Sequence, residues 1–157
     1  MSELFRVPFN ELKRGAVASM LRESYQGWQE YDRWVDQWSE YDAEVFEYPD
    51  TVGRCGFATR IEGVLVGFMS WDPRSRPCMT IGHNCILPAY RSQGYGSWQL
   101  QCALAIFRER EFKRVRASTG SDEFFASARR MYERNGFQRC EPFQDNRNDL
   151  VYYSQEL

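Results

Sequence analysis

The chain has 157 residues, of which 43% are hydrophobic and 27% are charged. This length and balance are typical of one globular domain with a sizeable core, so we expect residues 1–157 to form a single domain. The net charge of −2 argues against a nucleic-acid-binding protein, because such domains are normally basic. No apolar run approaches the roughly 18 residues that a membrane span needs, so no membrane partner is expected.

The sequence also shows neither the layout of a targeting signal nor the spacing of a metal-binding motif. Residues 1–6 lack the basic-then-apolar layout of a signal peptide. The five cysteines are odd in number, show no CxxC spacing, and are accompanied by one histidine. We therefore expect a cytoplasmic protein with reduced thiols and no metal.

Charge is spread unevenly along the chain. From Glu23 to Asp50 there are nine acidic residues and one basic residue, Arg33, which gives a local balance of −8. Because the total is −2, the remaining chain carries +6. One segment is strongly acidic and the rest is mildly basic.

In chain order, the first predicted element is a short strand over residues 4–9, whose proline suits a sheet edge. Asn10 suits the N-cap position of a helix that begins at Glu11. A second helix follows, in which aromatic side chains recur at steps of three and four, and Pro49 ends it. Its aromatic residues are Trp28, Tyr31, Trp34, Trp38 and Tyr41.

Six further strands and two further helices complete the pattern. The predicted strands cover residues 57–61, 64–71, 78–87, 114–118, 137–140 and 150–154. One helix follows a glycine-containing loop and runs through Phe107, and the other covers residues 124–135 and is closed by Gly136. The last two strands are separated by a turn-rich stretch at residues 144–149. This order predicts an α/β fold, a mixed sheet of about seven strands flanked by about four helices.

The loop between the strand over 78–87 and the next helix is the strongest candidate for a binding site. It reads Arg91-Ser92-Gln93-Gly94-Tyr95-Gly96, followed by Ser97. Its glycines allow positive φ and a close approach to an anion, and the helix start offers free amide groups. It is neither a P-loop nor the GxGxxG dinucleotide motif, and a tight strand-to-helix turn would need the same glycines.

Two motifs together resemble those of the GNAT superfamily of N-acetyltransferases. Arg91-x-x-Gly94-x-Gly96 is similar to the family's R/Q-x-x-G-x-G/A motif. Downstream, the segment 128–137 resembles its A-x-x-[LM]-Y-x-x-x-G-F helix, with the tyrosine at Tyr132. The resemblance is most specific over residues 78–140 and implies a GNAT-like fold and acetyl-CoA as the acetyl donor.

The resemblance also implies roles for individual residues. The backbone of Cys85 and Ile86 would pair with the pantetheine arm, and the pyrophosphate would lie on the amides of Ser92 through Ser97. Tyr132 matches the tyrosine that protonates the departing thiolate. Direct attack by an amine needs no cysteine nucleophile, but it does need a proton for the sulfur. The family often has asparagine seven residues before the tyrosine, whereas this chain has Phe125.

No residue stands out as the general base. Family members that place a base on the strand over 78–87 have it at positions that align with Thr80 or Gly82. We interpret His83 as a packed strand residue rather than a base, and Asn84 as a candidate for orienting water or the substrate. Asp42, Glu44 and Glu47 could supply a base, although a solvated helix face is the simpler explanation for them. Alternatively no base is needed, because a small fraction of the amine is already neutral in water.

The sequence indicates the acceptor, and the residues that contact the donor's 3′-phosphate, less directly. Aromatics interleaved with carboxylates over residues 23–50 suit a cationic small-molecule amine, although core packing explains the aromatics too. Arg114, Arg116, Arg129 and Arg130 could each contact the 3′-phosphate or simply aid solubility. A homodimer is compatible with the sequence.

Three functions follow from these patterns. The first is an acetyl-CoA-dependent N-acetyltransferase that acts on a small-molecule amine through a ternary complex. The second is a non-catalytic acyl-CoA sensor or interaction module on the same fold. The third is a protein or peptide acetyltransferase, which would require an open groove for the acceptor chain.

Overall fold

The computed structural model describes residues 2–144 and 147–157. Its strands are β1 (Leu4–Pro8), β2 (Gly56–Ile61), β3 (Val64–Asp72), β4 (Cys78–Ile86), β5 (Arg114–Gly120), β6 (Gln138–Arg139) and β7 (Leu150–Glu156). Its helices are α1 (Ala16–Ser24), α2 (Tyr31–Glu47), α3 (Tyr95–Glu109) and α4 (Ala126–Arg134). The predicted turn at 144–149 includes Asp145 and Asn146, which lie outside the described residues.

The described strands form one mixed sheet in the order β1-β2-β3-β4-β5-β7-β6. The β4–β5 pair is parallel, whereas the β1–β2, β2–β3, β5–β7 and β6–β7 pairs are antiparallel. This confirms the predicted α/β class with seven strands and four helices among the described residues. None of those helices is long and apolar enough to cross a membrane.

Contacts along the chain divide it into two compact units. The first holds residues up to Ser70 together with His83–Tyr95, and the second holds Trp71–Gly82 and Gly96–Leu157. Each unit has its own buried side chains, and the strands β3 and β4 contribute to both. The expectation of a single domain over 1–157 stays a prediction.

The core of the first unit lies among β1, β2, β3, the end of β4 and the helices α1 and α2. Its buried members are Val7, Phe9, Val17, Met20, Leu21, Trp38, Val45, Ala58, Phe68, Cys85 and Leu87. Aromatic residues of the acidic segment pack against it, including Tyr25, Trp28, Tyr31, Trp34 and Tyr41. This placement supports the core interpretation of that aromatic series.

In the second unit, α3 shows the period that its sequence predicts. Leu100, Ala103, Leu104 and Phe107 are all buried, and the Phe107 ring meets Trp71 edge-on at 5.1 Å. The apolar residues at i, i+3, i+4 and i+7 therefore form the buried stripe of this helix.

The start of α1 differs from its prediction. Residues Phe9–Glu11 form a short 3-10 turn, and the α-helix begins only at Ala16, after Gly15 in the left-handed region. The cap comes from a different helix, because Asp42 of α2 accepts hydrogen bonds from the amides of Gly15 and Ala18, each at 2.9 Å. Asn10 as the N-cap is therefore wrong.

The other boundaries differ by a few residues. Trp28 lies before α2, which starts at Tyr31 and ends at Glu47, just ahead of Pro49. The predicted helix over 124–135 is a 3-10 turn followed by α4, and Gly136 closes it with φ of 89°. The left-handed conformation expected at Gly136 is confirmed.

Candidate active site

The loop over residues 91–96, here called the donor loop, follows β4 and a 3-10 turn at Pro88–Tyr90. Ser92 and Gly94 both have left-handed backbones, with φ of 63° and 84°. A side chain at Gly94 would meet nothing within 4 Å, so glycine is needed there for its conformation and not for space. Left-handed residues next to extended or helical ones turn successive amides toward one side, which is the geometry of an anion-binding nest.

The donor loop runs directly into α3, whose first three residues are Tyr95, Gly96 and Ser97. The amides at a helix start have no partner within the helix, and the helix dipole adds positive potential there. Ser92, Gln93 and Gly94 are exposed, and the Gln93 side chain accepts a hydrogen bond from the Tyr95 hydroxyl at 3.1 Å. This stretch can therefore hold a phosphate group on backbone amides.

Arg91 of the donor loop turns its guanidinium toward the protein backbone. Its Nε donates to the carbonyl of Ile86 at 2.9 Å, and its Nη2 donates to the carbonyl of Ser24 at 2.7 Å. Ser24 is the last residue of α1, where a positive charge is favoured by the helix dipole. The side chain thus fastens the loop to the ends of β4 and α1.

Strand β4 pairs with β5 over only part of its length. The ladder covers three residue pairs, from Cys78↔Arg114 to Thr80↔Arg116, yet β4 continues to Ile86. Asn84, Cys85 and Ile86 thus lie in the part of β4 beyond this ladder. Strand β5 also continues past the ladder, to Gly120, so both strands extend beyond the last residue pair that they share. An extended ligand can pair with the backbone of such a strand as an added strand.

The Cys85 side chain belongs to the core of the first unit. Burial raises the pKa of the Cys85 thiol to about 11. A thiol in this setting is not ionised at neutral pH and is a poor nucleophile. Only the backbone of Cys85 is therefore suited to a role in donor binding.

Tyr132 lies on α4 and is buried, with 5% of its surface exposed. Its ring meets Phe137 edge-on at 5.2 Å and stacks on Tyr153 at 5.7 Å. The backbone is fixed too, because the Tyr132 carbonyl accepts from the amides of Asn135 and Phe137 at 3.1 Å each. The ring position is thus set by the helix end and by β7.

Phe125 occupies the position where the family often has asparagine, and its ring packs on the backbone of Gly120. A Cβ atom at Gly120 would overlap that ring. Arg129 holds the same turn, since its Nη1 donates to the carbonyls of Gly120 and Asp122 at 2.6 and 2.7 Å. The turn after β5 is thus built around an aromatic ring and an arginine.

Asn135, at the end of α4, is a functional candidate that sequence reasoning missed. Its Nδ2 donates to the Ser97 hydroxyl at 2.9 Å and to the Met131 carbonyl at 2.7 Å, and its Oδ1 accepts from Gln101 at 2.9 Å. The only sequence signal was its place before Gly136, which reads as a helix end. The bond to Ser97 could not be read from the pattern.

The three acidic candidates for a base occupy different settings. Asp42 is buried and caps α1, so it is committed to structure. Glu47 is exposed and lies 3.9 Å from Arg14, and Glu44 is exposed on the same helix. Of the three, Glu44 and Glu47 lie where a solvated cation could meet them.

His83 packs in the first unit rather than standing free. Its ring lies 5.2 Å from the ring of Tyr41 and 5.7 Å from that of Phe68. Its backbone amide donates to the Ser70 hydroxyl at 2.9 Å. Burial lowers the pKa of His83 to about 4, so the imidazole is neutral at neutral pH and a weak base.

Three of the arginines considered for the 3′-phosphate have protein partners. Arg114 pairs with Glu156, Arg129 holds the turn after β5, and Arg116 donates to Thr80 Oγ1 at 2.8 Å while lying over the Phe143 ring. Arg130 is exposed on α4. Among the described residues, no group of three potential metal ligands is present.

Comparison with known proteins identifies the family of the chain. The model of the acetyltransferase (GNAT) family matches residues 16–137. No curated protein sequence matches the chain.

Three solved structures share the fold over nearly the whole length of both chains. A protein from Pyrococcus horikoshii has a TM-score of 0.77 at 16% identity, with 99% of each chain covered. The PaiA N-acetyltransferase of Thermoplasma acidophilum, solved in complex with coenzyme A, has a TM-score of 0.74 at 14% identity and covers 100% of this chain and 99% of its own. Ard1 of Thermoplasma volcanium has a TM-score of 0.72 at 18% identity, with 99% and 97% covered.

These likenesses establish the fold, and the family match covers the donor loop, α3 and α4, the elements on which the two sequence motifs lie. The non-catalytic sensor is thereby set aside. The chain belongs to the acetyltransferase (GNAT) family and is an acyltransferase enzyme.

Proposed function

We propose that this enzyme transfers an acetyl group from acetyl-CoA to a primary amine by direct attack in a ternary complex. The observation that carries the proposal is the β4–β5 ladder, which stops at Thr80 while β4 continues into the donor loop. The backbone of β4 around Cys85 would receive the pantetheine arm as an added strand, and the amides from Ser92 to Ser97 would bind the pyrophosphate. Arg91 supports this site by holding the loop in place.

The chemical step requires a proton at the sulfur. The neutral amine attacks the thioester carbonyl, the C–S bond breaks, and the Tyr132 hydroxyl gives its proton to the leaving thiolate. The proton lost by the amine passes to water, and the tyrosinate is then reprotonated from solvent. Asn84, on the part of β4 beyond the ladder, would orient the acceptor or a water molecule.

The acceptor is proposed to be a cationic small molecule. Five exposed carboxylates recur at steps of three and four along α2: Asp32, Asp36, Glu40, Glu44 and Glu47. Like charges at this spacing cost stability, and those near the helix end also oppose its dipole. A stripe that destabilises its own helix is more readily explained by attraction of a cation than by structure.

Tyr132→Phe tests the acid role. We expect kcat to fall about 100-fold, because positioned general acids contribute on the order of 10²–10⁴. The dissociation constant of acetyl-CoA, measured by titration calorimetry, should stay within about twofold, since the phenyl ring keeps the packing against Phe137 and Tyr153.

Tyr153→Phe is the matched control, because it removes the hydroxyl of the ring stacked on Tyr132. That hydroxyl donates to Glu133 at 2.6 Å, and its loss should leave kcat nearly unchanged. Full activity of Tyr132→Phe would refute the acid role.

The rate of thiol release, measured with a set of small amines and peptides, tests the class of acceptor. A preference for the peptides would indicate a peptide acetyltransferase. A single domain and a cytoplasmic location remain predictions.

A further inference from the structure

Both N–H donors and the oxygen of the Asn135 side-chain amide are hydrogen-bonded, and these bonds fix its orientation. Both Nδ2 protons are donated, to the Met131 carbonyl and the Ser97 hydroxyl, and Oδ1 accepts from Gln101 Nε2. Turning the amide over would set Oδ1 against the Met131 carbonyl and Nδ2 against the Gln101 amide nitrogen. The contact with the Met131 carbonyl would be repulsive, because a carbonyl oxygen can only accept, so nitrogen must face Ser97.

The orientation of Asn135 dictates what the Ser97 hydroxyl does. A hydroxyl has one proton and two lone pairs. Because Asn135 donates to Ser97 Oγ at 2.9 Å, the serine acts as acceptor in that bond, and its own proton is left to be given elsewhere. Within the described part of the chain, no other side-chain hydrogen bond of Ser97 is formed.

Ser97 lies where a side chain could donate a hydrogen bond to a phosphate. It is the third residue of α3, immediately after the donor loop, and it is partly exposed. Its backbone amide is one of the helix-start amides that have no partner within the helix. A hydroxyl donor beside these amides adds a hydrogen bond to a charged acceptor, which is stronger than one between neutral groups.

We propose that the Ser97 hydroxyl donates a hydrogen bond to the pyrophosphate of the acetyl donor, and that Asn135 is the positioning residue that turns its proton outward. This inference rests on the proposed acetyl-CoA function. It adds a side-chain contact to a site otherwise made of backbone amides, and it ties that contact to the end of the helix that carries Tyr132.

The test compares two donors, acetyl-CoA and S-acetylpantetheine, which keeps the thioester arm and lacks phosphate. Ser97→Ala should raise the KM for acetyl-CoA about tenfold, the usual loss for a hydrogen bond to a charged group. Asn135→Asp should raise it at least as much, because a carboxylate accepts the serine proton and turns it inward. Neither variant should change kcat/KM with S-acetylpantetheine by more than about twofold.

Two controls separate positioning from structure. Gln101→Ala removes a bond to the same asparagine without touching Ser97, so its KM for acetyl-CoA should change by less than about threefold. In the Ser97→Ala background, Asn135→Asp should add only the effect of its charge, well below its effect in the wild-type chain. Equal losses with both donors would indicate a purely structural role and overturn the inference.

Calorimetric titration of the wild-type enzyme with CoA comes first. An absence of binding there would refute the proposed function itself. The other outcome is that the wild type binds CoA and the KM of Ser97→Ala for acetyl-CoA lies within twofold of the wild-type KM. That result would refute only the role of this hydroxyl.

Discussion

At the scale of single residues, the chemistry of this enzyme depends on which polar groups are already engaged by the protein. The Arg91 guanidinium donates to two backbone carbonyls, so in the proposed site a phosphate would meet the neutral amides of the donor loop rather than this charge. The His83 imidazole is buried beside the Tyr41 ring, and this burial keeps it uncharged. Tyr132 is held by two aromatic rings, which fix its direction and exclude water from its flanks.

The buried state of His83 has a pH signature. The ordinary pKa of a histidine is 6.5, whereas burial lowers that of His83 to about 4 in the folded protein. Between these two values the unfolded chain binds a proton that the folded chain does not, so stability falls as pH drops from 6.5 toward 4. By pH 5 this group should cost at most about 2 kcal/mol of unfolding free energy.

Urea unfolding at pH 7.5 and pH 5 measures this cost. The His83→Phe variant keeps a ring against Tyr41 and Phe68 and cannot be protonated, so it should lose less stability between the two pH values than the wild type. Carboxylates titrate in both proteins and cancel in the comparison. Identical losses would mean that His83 is hydrated enough to titrate normally in the folded state.

Several of these residues could be predicted from the sequence, and others could not. Tyr132 and the donor loop belong to short motifs whose residues lie close together in the sequence. The bond from Asn135 to Ser97 spans 38 positions, and that from Arg91 to Ser24 spans 67. No periodicity reports such contacts, because they depend on how distant elements come together.

At the scale of elements, α1 is stabilised at both ends by charges from elsewhere in the chain. The Asp42 carboxylate accepts the free amides at its start, and the Arg91 guanidinium caps a carbonyl at its end. Each charge has the sign that the helix dipole favours. A nine-residue helix is short for independent stability, so these contacts matter more than its own propensity.

Asp42→Ala should therefore lower the free energy of unfolding by about 2 kcal/mol, the upper range for loss of a helix cap. Urea unfolding at pH 7.5 gives the value. Glu40→Gln, an exposed change on the same helix, should stay within about 0.5 kcal/mol of wild type. A loss for Asp42→Ala no larger than that of the control would show that water replaces the cap.

The elements also show where sequence patterns suffice. The stripe of Leu100, Ala103, Leu104 and Phe107 predicted α3, because a helix buries one face by its own period. The predicted start of α1 was wrong, because the residue that caps this helix comes from α2. Asn10 is a local capping signal that the fold does not use. The early end of the β4–β5 ladder left no mark in the composition of either strand.

At the scale of the whole molecule, the charge imbalance read from the sequence becomes a surface feature. Of the nine acidic residues between Glu23 and Asp50, Asp42 is buried in its cap, and five others line the exposed side of α2. An acidic surface attracts cations over roughly a Debye length, about 8 Å at physiological ionic strength. Association with a cationic acceptor should therefore weaken as salt is raised.

The double variant Asp36→Asn/Glu40→Gln separates function from stability, because its two expected effects have opposite signs. It should raise the melting temperature slightly by relieving repulsion along α2. It should also lower kcat/KM several-fold for a polyamine, while leaving the value for a neutral amine and the KM for acetyl-CoA unchanged.

The matched control is Glu109→Gln, an exposed charge at the end of α3, which should alter neither acceptor's kcat/KM. An equal loss with the polyamine and the neutral amine would contradict attraction by this stripe. So would an unchanged salt dependence of kcat/KM for the polyamine in the double variant.

The fit of the Phe125 ring against Gly120 couples these two positions. With the ring in place, a Cβ atom at 120 would overlap it, so a larger residue at 120 requires the ring at 125 to move or to be replaced by a smaller side chain. The turn after β5 therefore tolerates change at 120 only together with change at 125, although the two positions lie in different elements of the chain.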